Sequence, residues 1–350
     1  MNAKTQELSL PGYYNTKTAR EIGYETPNIG LLQREAEEWK KLNGLKSIGA
    51  DKKNIHLLII DAQVDFSFPQ GALFVGGRSG TGAMDDNDRL AQFIYRNLHL
   101  ISHITPTMDS HLPYQIFFPS AHLKKDGTRP APFTVISHDE YAGGEYVADP
   151  AFARQLNKDQ VWLTRQFIHY TRELEKNGRY KLVIWPYHCL IGSSGHRLAG
   201  VIEEARLFHS FARGAENWPE IKGGHPLVEH YSILRPEVFT LWDGSSIPMV
   251  QKNTKLRDKL LKSDAVVIAG QAKSHCLAWT IYDLLEEIVA VDIKLAKKIY
   301  LLEDCTSSVV IPGVIDYTDE ANAAFQKFAD AGMHIVKSVD PIAAWPEIRL

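Results

Sequence analysis

No run in the 350-residue sequence is long and apolar enough to cross a bilayer. The opening residues MNAKTQELSLPGYYN lack the apolar core of a secretory signal. A soluble cytoplasmic protein with no membrane contact is therefore expected. Cysteine is scarce: three residues, an odd number, without the C-x-x-C spacing of a metal site, which fits reduced thiols better than a disulfide framework. Neither sign of charge dominates, because 39 Lys and Arg face 42 Asp and Glu for a net charge of −3. That leaves no basic footprint and argues against nucleic acid as a partner. No internal repeat or low-complexity tract is present.

The sequence does hold the material for a core, with 44% hydrophobic and 23% charged residues. Its organising stretch is AVVIAGQAKSHCLAWTIYDLL, residues 265–285. The apolar run Ala265–Ala269 reads as a buried strand of a parallel sheet, and Gly270 ends it. From about Ser274 the residues Leu277, Ala278, Ile281, Leu284 and Leu285 recur at helical spacing. Cys276 thus falls at a strand–turn–helix junction, where the helix dipole and backbone N–H groups lower a thiol pKa. Such a place suits a nucleophile, although free cysteines also serve as packing residues.

Further strands are expected at Ile55–Ala62, His103–Thr107, Lys181–Trp185, Lys298–Leu302 and His334–Ser338. Helices at Asp86–Ile101, Gly200–Phe211 and Thr318–Gly332 alternate with them. The fold expected is α/β: a doubly wound, mostly parallel six-stranded sheet with helices on both faces. Residues 1–54 form an N-terminal extension with one amphipathic helix over Gly30–Asn43. Residues 55–350 form the main domain, interrupted by an aromatic-rich insertion at 123–180.

Several chemical groups fall at strand ends. Asp61 and then Asp65 follow the first strand, where an acid serves as a cap or as a general base. Asp109 and His111 stand i, i+2 on an extended segment, a spacing that suits two metal ligands or a solvated loop. His188 and Cys189 follow the third strand. Lys222, ordinarily just a surface charge, precedes a double glycine.

Taken in order, these pieces resemble the isochorismatase-like cysteine hydrolases. The motifs are IIDAQVDF, TMDSH, WPYHCLIGSSG, the Lys222–Gly223 step before Tyr231–Ser232, and AGQAKSHC, spanning about Ile55 to Leu285. The resemblance implies amide hydrolysis through a thioester, with Asp61, Lys222 and Cys276 as catalytic residues and the backbone of Ala272 and Cys276 as the oxyanion hole. It also implies a cis peptide at Gln271–Ala272. Asp109, His111 and His188 would hold one divalent ion, zinc before iron or manganese. The members it is most similar to act on a pyridine carboxamide, whose ring would lie between Phe66 and Trp185, with Tyr231 and His275 lining the pocket.

Two departures stand out. Gln115 occupies the position of a further family histidine, which makes His122 a candidate fourth ligand. Gln271 and Lys273 are more polar than is common beside the nucleophile. Another small amide, such as a carbamoyl or ureido compound, is the alternative substrate, and an inactive binding module the alternative class. The extension and the insertion are rich in aromatics: Trp39, Phe133, Tyr141, Tyr146, Phe152, Trp162, Phe167 and Tyr170. They are expected to pack on one another and on a neighbouring subunit, giving a homo-oligomer.

Overall fold

A computed structural model describes residues 7–26, 28–176, 178, 180–348 and 350. The first six residues of the extension, and Asn177 and Arg179 of the insertion, lie outside the described residues. In chain order the elements that position the site are α1 (Ile29–Leu42), β1 (Ile55–Ile60), α2 (Gly82–Arg96), β2 (Ile101–Asp109), α3 (Gln160–Lys176), α4 (Gly200–Arg213), β3 (Glu220–Lys222), β4 (Ala265–Gly270), α5 (Cys276–Val291), β5 (Ile299–Leu302), α6 (Thr318–Asp330) and β6 (His334–Val336).

Strand β4 is apolar throughout and β1 is apolar but for His56, and every residue in both is buried. A strand alternates its side chains between two faces, so a strand apolar at every position needs cover on both. Leu57, Ile59, Val267 and Ala269 enter one core with Leu90, Phe93 and Ile94 of α2 and Ile202, Ala205 and Phe208 of α4. Leu58, Ile60, Val266 and Ile268 enter the other with Leu277, Ile281 and Leu284 of α5 and Phe325 and Phe328 of α6. The sheet runs β6-β5-β4-β1-β2-β3, and every neighbouring pair is parallel. The chain winds outward from β1 to β3, then returns to β4 on the other side of β1. The switch point therefore lies between the carboxyl ends of β1 and β4, where open sheets of this kind bind ligands.

One expected strand is displaced. Residues around Lys181–Trp185 do not join the sheet; only Leu182–Val183 is extended, pairing antiparallel with Val135–Ile136 of the insertion. Ile184 N–H donates to Thr134 O of the insertion (2.8 Å) and Trp185 N–H to Phe117 O just ahead of it (2.8 Å), so this segment bonds to loop backbone instead. The sixth strand is β3, too short for any periodicity, in register Thr107↔Glu220 to Asp109↔Lys222.

Among the described residues, the buried side chains of the extension and of the insertion enter different cores. Leu32 and Ala36 of α1 join the core of α2 and α4, and the arm is tied down by Tyr13 OH donating to Tyr95 OH (2.9 Å) and Tyr14 OH to Asp88 Oδ1 (2.7 Å). The insertion's Tyr141, Phe152, Phe167 and Tyr170 are buried in the opposite core. Trp39, Phe133, Tyr146 and Trp162 are half-buried. The aromatic content thus serves the chain's own cores, and it no longer argues for a partner subunit.

α4 carries a buried histidine with a fixed tautomer. His209 Nε2 lies 2.8 Å from Ile101 O, an acceptor, so Nε2 carries the proton. Nδ1 then accepts from Asn217 Nδ2 at 2.9 Å. A second proton would set donor against donor, and burial pushes the pKa down to about 3. The unfolded chain takes up that proton near pH 6.5, so stability is lost as pH falls below that value. For this one group the loss between pH 7 and 5 is about 2 kcal/mol. His209→Gln should therefore destabilise at pH 7, by a penalty that shrinks by about 2 kcal/mol at pH 5. Urea unfolding at both pH values measures this, and an unchanged penalty would refute it.

Candidate active site

Four strand ends deliver the site. Asp61 follows β1 at φ +42°, in the left-handed region that aspartate tolerates better than most residues. Thr107 of the adjacent β2 fixes it: Asp61 N–H donates to Thr107 Oγ1 (3.0 Å), and that hydroxyl donates to Asp61 Oδ1 (2.5 Å). Asp109 ends β2 and Lys222 ends β3, and the register sets them side by side. Gly270 ends β4 at φ +109°, where a Cβ would come within 2.0 Å of Ile60 O, so only glycine lets β4 close on β1 here. A cis peptide follows at Gln271–Ala272, and Cys276 is the first residue of α5.

The ammonium of Lys222 sits among three acceptors at hydrogen-bond distance: Asp61 Oδ2 (2.9 Å), Asp109 Oδ1 (2.9 Å) and His230 O (3.0 Å). Cys276 Sγ lies 3.5 Å from the same nitrogen. Burial disfavours that charge, but Asp109, Asp61 and Cys276 together hold the Lys222 pKa well above its ordinary value. Burial raises Asp61, against the pull of Lys222. Asp109, equally buried, is held well below the carboxylate range by His111 and Lys222. The thiol departs from the sequence expectation: burial pushes Cys276 well up, and Asp61 and Asp109 add to this, with Lys222 opposing. Helix dipole and ammonium do not outweigh the loss of water, so Cys276 rests as a thiol.

Asp109 also faces two imidazoles. His111 Nε2 lies 3.1 Å and His188 Nε2 3.8 Å from Asp109 Oδ2. His111 Nδ1 bonds Gly223 O (3.1 Å) and His188 Nδ1 bonds Pro186 O (2.7 Å), so both Nδ1 atoms carry the proton. Both Nε2 lone pairs then converge on the carboxylate, the tautomer that metal binding requires. His111 Nε2 is buried without a hydrogen-bond partner, and the three ligand atoms lie within 4.8 Å of one another. This donor set fits a divalent ion. Gly223 makes the approach feasible: at φ +82°, a Cβ would stand 2.6 Å from Asp109 Oδ1 and from His111 Cε1.

His122 is not brought to this cluster. Its ring nitrogens bond Tyr141 OH (2.8 Å) and Ile116 O, and its ring packs on Phe167. Burial pushes it down to about 4, so it is a neutral core histidine. Gln115 is likewise spent on backbone, donating to Gly223 O and His225 O and accepting from Leu112 N–H.

The pocket beside these groups encloses about 490 Å³, its open mouth included, and is lined by Phe66, Trp185, His188, Tyr231, His275 and Cys276 together with Leu73, Val75, Phe117, Glu229 and Val309. The pocket residues expected from the sequence are therefore present together. Among the described residues, neither the Ala272 nor the Cys276 N–H makes a hydrogen bond. Sequence reasoning missed Glu229, whose Oε1 accepts from Trp185 Nε1 (2.9 Å) and whose Oε2 is buried without a partner. Burial, reinforced by Glu237, raises it well above the usual range. It stands in a loop without periodicity, so no pattern marks it. Gln63 was also missed: its side chain accepts from Asp109 N–H (2.7 Å) and donates to Asp109 O (2.8 Å). Its signal was its place inside the IIDAQVDF run. Asp65, left unassigned, accepts from Cys189 N–H (2.7 Å) and Ala72 N–H (3.0 Å), joining two pocket loops.

No family model and no curated protein matches the chain. Among solved structures it is similar to a nicotinamidase/pyrazinamidase of Acinetobacter baumanii at 19% identity, covering 83% of this chain and 99% of that one, with a TM-score of 0.48. It is similar to a yeast nicotinamidase bound to the inhibitor nicotinaldehyde at 18% identity, covering 81% and 99%, with a TM-score of 0.49. A pyrazinamidase of Pyrococcus horikoshii in complex with zinc is similar at 17% identity over 81% and 99%, with a TM-score of 0.42. At these values the functional reading rests on the site's own residues.

Proposed function

We propose that the chain is an isochorismatase-like cysteine amidohydrolase that converts nicotinamide and water to nicotinate and ammonia. The observation that carries this is the shared ammonium: Lys222 Nζ touches Asp61, Asp109 and Cys276 at once, so the buried acid Asp61 is joined through it to the nucleophile, Asp109 and histidine pair that line one pocket. Asp61 takes the Sγ proton of Cys276, a transfer favoured by the burial that makes its carboxylate more basic. The Lys222 charge stabilises the thiolate as it forms. Sγ attacks the carboxamide carbon, and the oxyanion accepts from the free N–H groups of Ala272 and Cys276. The C–N bond breaks as Asp61 returns its proton to the leaving nitrogen, giving ammonia and a thioester. Asp61 next deprotonates a water that adds to the thioester carbon; the C–S bond breaks and Sγ regains a proton. Asp109, His111 and His188 would hold a divalent ion, which supplies a Lewis-acidic anchor for the substrate's ring nitrogen. Phe66 and Trp185 line the pocket as walls for a planar ring.

Ammonia release across a panel of amides tests the reading. Nicotinamide and pyrazinamide should turn over, and benzamide, without a ring nitrogen, should lose about tenfold or more in kcat/KM. Turnover of a ureido compound with none of nicotinamide would refute the substrate assignment.

A further inference from the structure

Gln271 is a fully buried glutamine at the end of an apolar strand. A buried amide needs partners, and its backbone N–H, Nε2 and Oε1 each have one. Its N–H donates to Ile60 O (2.7 Å), Nε2 donates to Asp86 Oδ2 (2.9 Å) and Oε1 accepts from Ser307 N–H (3.3 Å). Asp86, on α2, accepts from Arg89 NH2 (2.9 Å) with its other oxygen, and Arg89 Nε donates to Asp304 O. On the far side of Ala272, Lys273 N–H donates to Ser307 O (2.8 Å). Ser307 in turn abuts α2, where a Cβ on Gly82 would come within 2.4 Å of its Oγ. Both neighbours of Ala272 are thus pinned to one support made of α2 and Ser307.

Asp86 is almost wholly buried, and burial pushes its carboxyl up to about 6 although Gln271, Ser307 and Arg89 oppose this. A buried acid is weak evidence for stability, since apolar replacements of similar volume often do as well. Its placement points to geometry instead. We propose that Asp86 is a positioning residue: through Gln271 it fixes the peptide that presents the Ala272 N–H to the pocket. This rests on the amidohydrolase reading, in which that N–H receives charge only once the tetrahedral species forms. A donor displaced by a fraction of an ångström loses its effect on that species and little of its effect on the bound amide.

Three variants separate positioning from packing. Gln271→Leu removes the link. Asp86→Leu with Gln271→Leu removes it without leaving a buried carboxylate unpaired, and Arg89, partly exposed, can turn to water. Asp86→Asn keeps an acceptor for Gln271 Nε2. Both leucine variants should lose about 10- to 100-fold in kcat, with KM and the iodoacetamide alkylation rate of Cys276 within about threefold of wild type. Affinity for nicotinaldehyde, which adds to Sγ and places an oxyanion in the same hole, should weaken by the factor lost in kcat. Asp86→Asn should keep kcat within about threefold. A folded double variant with wild-type kcat overturns the inference, as does a kcat loss with unchanged nicotinaldehyde affinity. Wild-type protein that releases no ammonia from any amide overturns the amidohydrolase reading and this inference with it, whereas an active wild type with unaffected variants overturns this inference alone.

Discussion

Cys276→Ala should abolish ammonia release from nicotinamide, a loss on the order of 10⁴-fold or more, and barely change stability. The side chain is buried among Asp61, Asp109 and Lys222, so deleting one sulfur leaves a small cavity worth about 1 kcal/mol. Lys222→Met should lose activity comparably and differ sharply in stability. Asp61 and Lys222 sit at strand ends and Cys276 at a helix start, yet all three are buried, so such positions do not make them replaceable. Removing the ammonium strands two carboxylates that it touches at 2.9 Å. An uncompensated buried charge destabilises by about 3–5 kcal/mol. With Lys222 gone, both carboxyls shift upward, so the unfolded chain releases protons that the folded variant retains, and the variant recovers stability as pH falls. Urea unfolding at pH 7.5 and 5.5 should show this relative recovery in Lys222→Met and not in Cys276→Ala. Residual Cys276→Ala activity above about 1% would remove the nucleophile assignment.

What could be read from the sequence follows from where the physical signal lies. β1, apolar but for His56, and β4, apolar throughout, lie at the centre of the sheet, and their helices carry clear stripes, so those elements and the doubly wound order were legible. β3 was not. Three residues, Glu-Ile-Lys, carry no period, and they become a strand only because β2 offers an unpaired edge. The more strand-like Lys-Leu-Val-Ile-Trp segment pairs instead with the insertion. The same short strand accounts for Lys222, which reads as a surface charge until the register places it beside Asp109. Local signs at Cys276 suggested a lowered thiol pKa, because a helix start and a lysine are visible in sequence and desolvation is not. His122 failed as a ligand for a similar reason: Tyr141 and Ile116 O, which take up its ring nitrogens, come from spatial neighbours that no spacing reveals.

Replacing His188 tests the remaining part of the site, and His122 is its control. His188→Ala removes one of two imidazoles whose Nε2 atoms face Asp109. What remains is a carboxylate and a single histidine, a donor pair that holds a divalent ion weakly. The variant should purify without the roughly one equivalent of metal expected of wild type, and KM for nicotinamide should rise on the order of 100-fold. Alkylation of Cys276 by iodoacetamide should change by less than about threefold, because the thiol answers to Lys222, Asp61 and Asp109, all retained in the variant, and not to the histidines. His122→Gln should keep its metal, since both ring nitrogens are committed to core partners. Chelator treatment of the wild type should reproduce the His188→Ala kinetics, with recovery on adding back zinc, iron or manganese identifying the ions the site accepts. Full metal content in His188→Ala, or its loss in His122→Gln, would reject this ligand set. An equal fall in KM-dependent turnover and thiol reactivity would instead make the metal part of nucleophile activation.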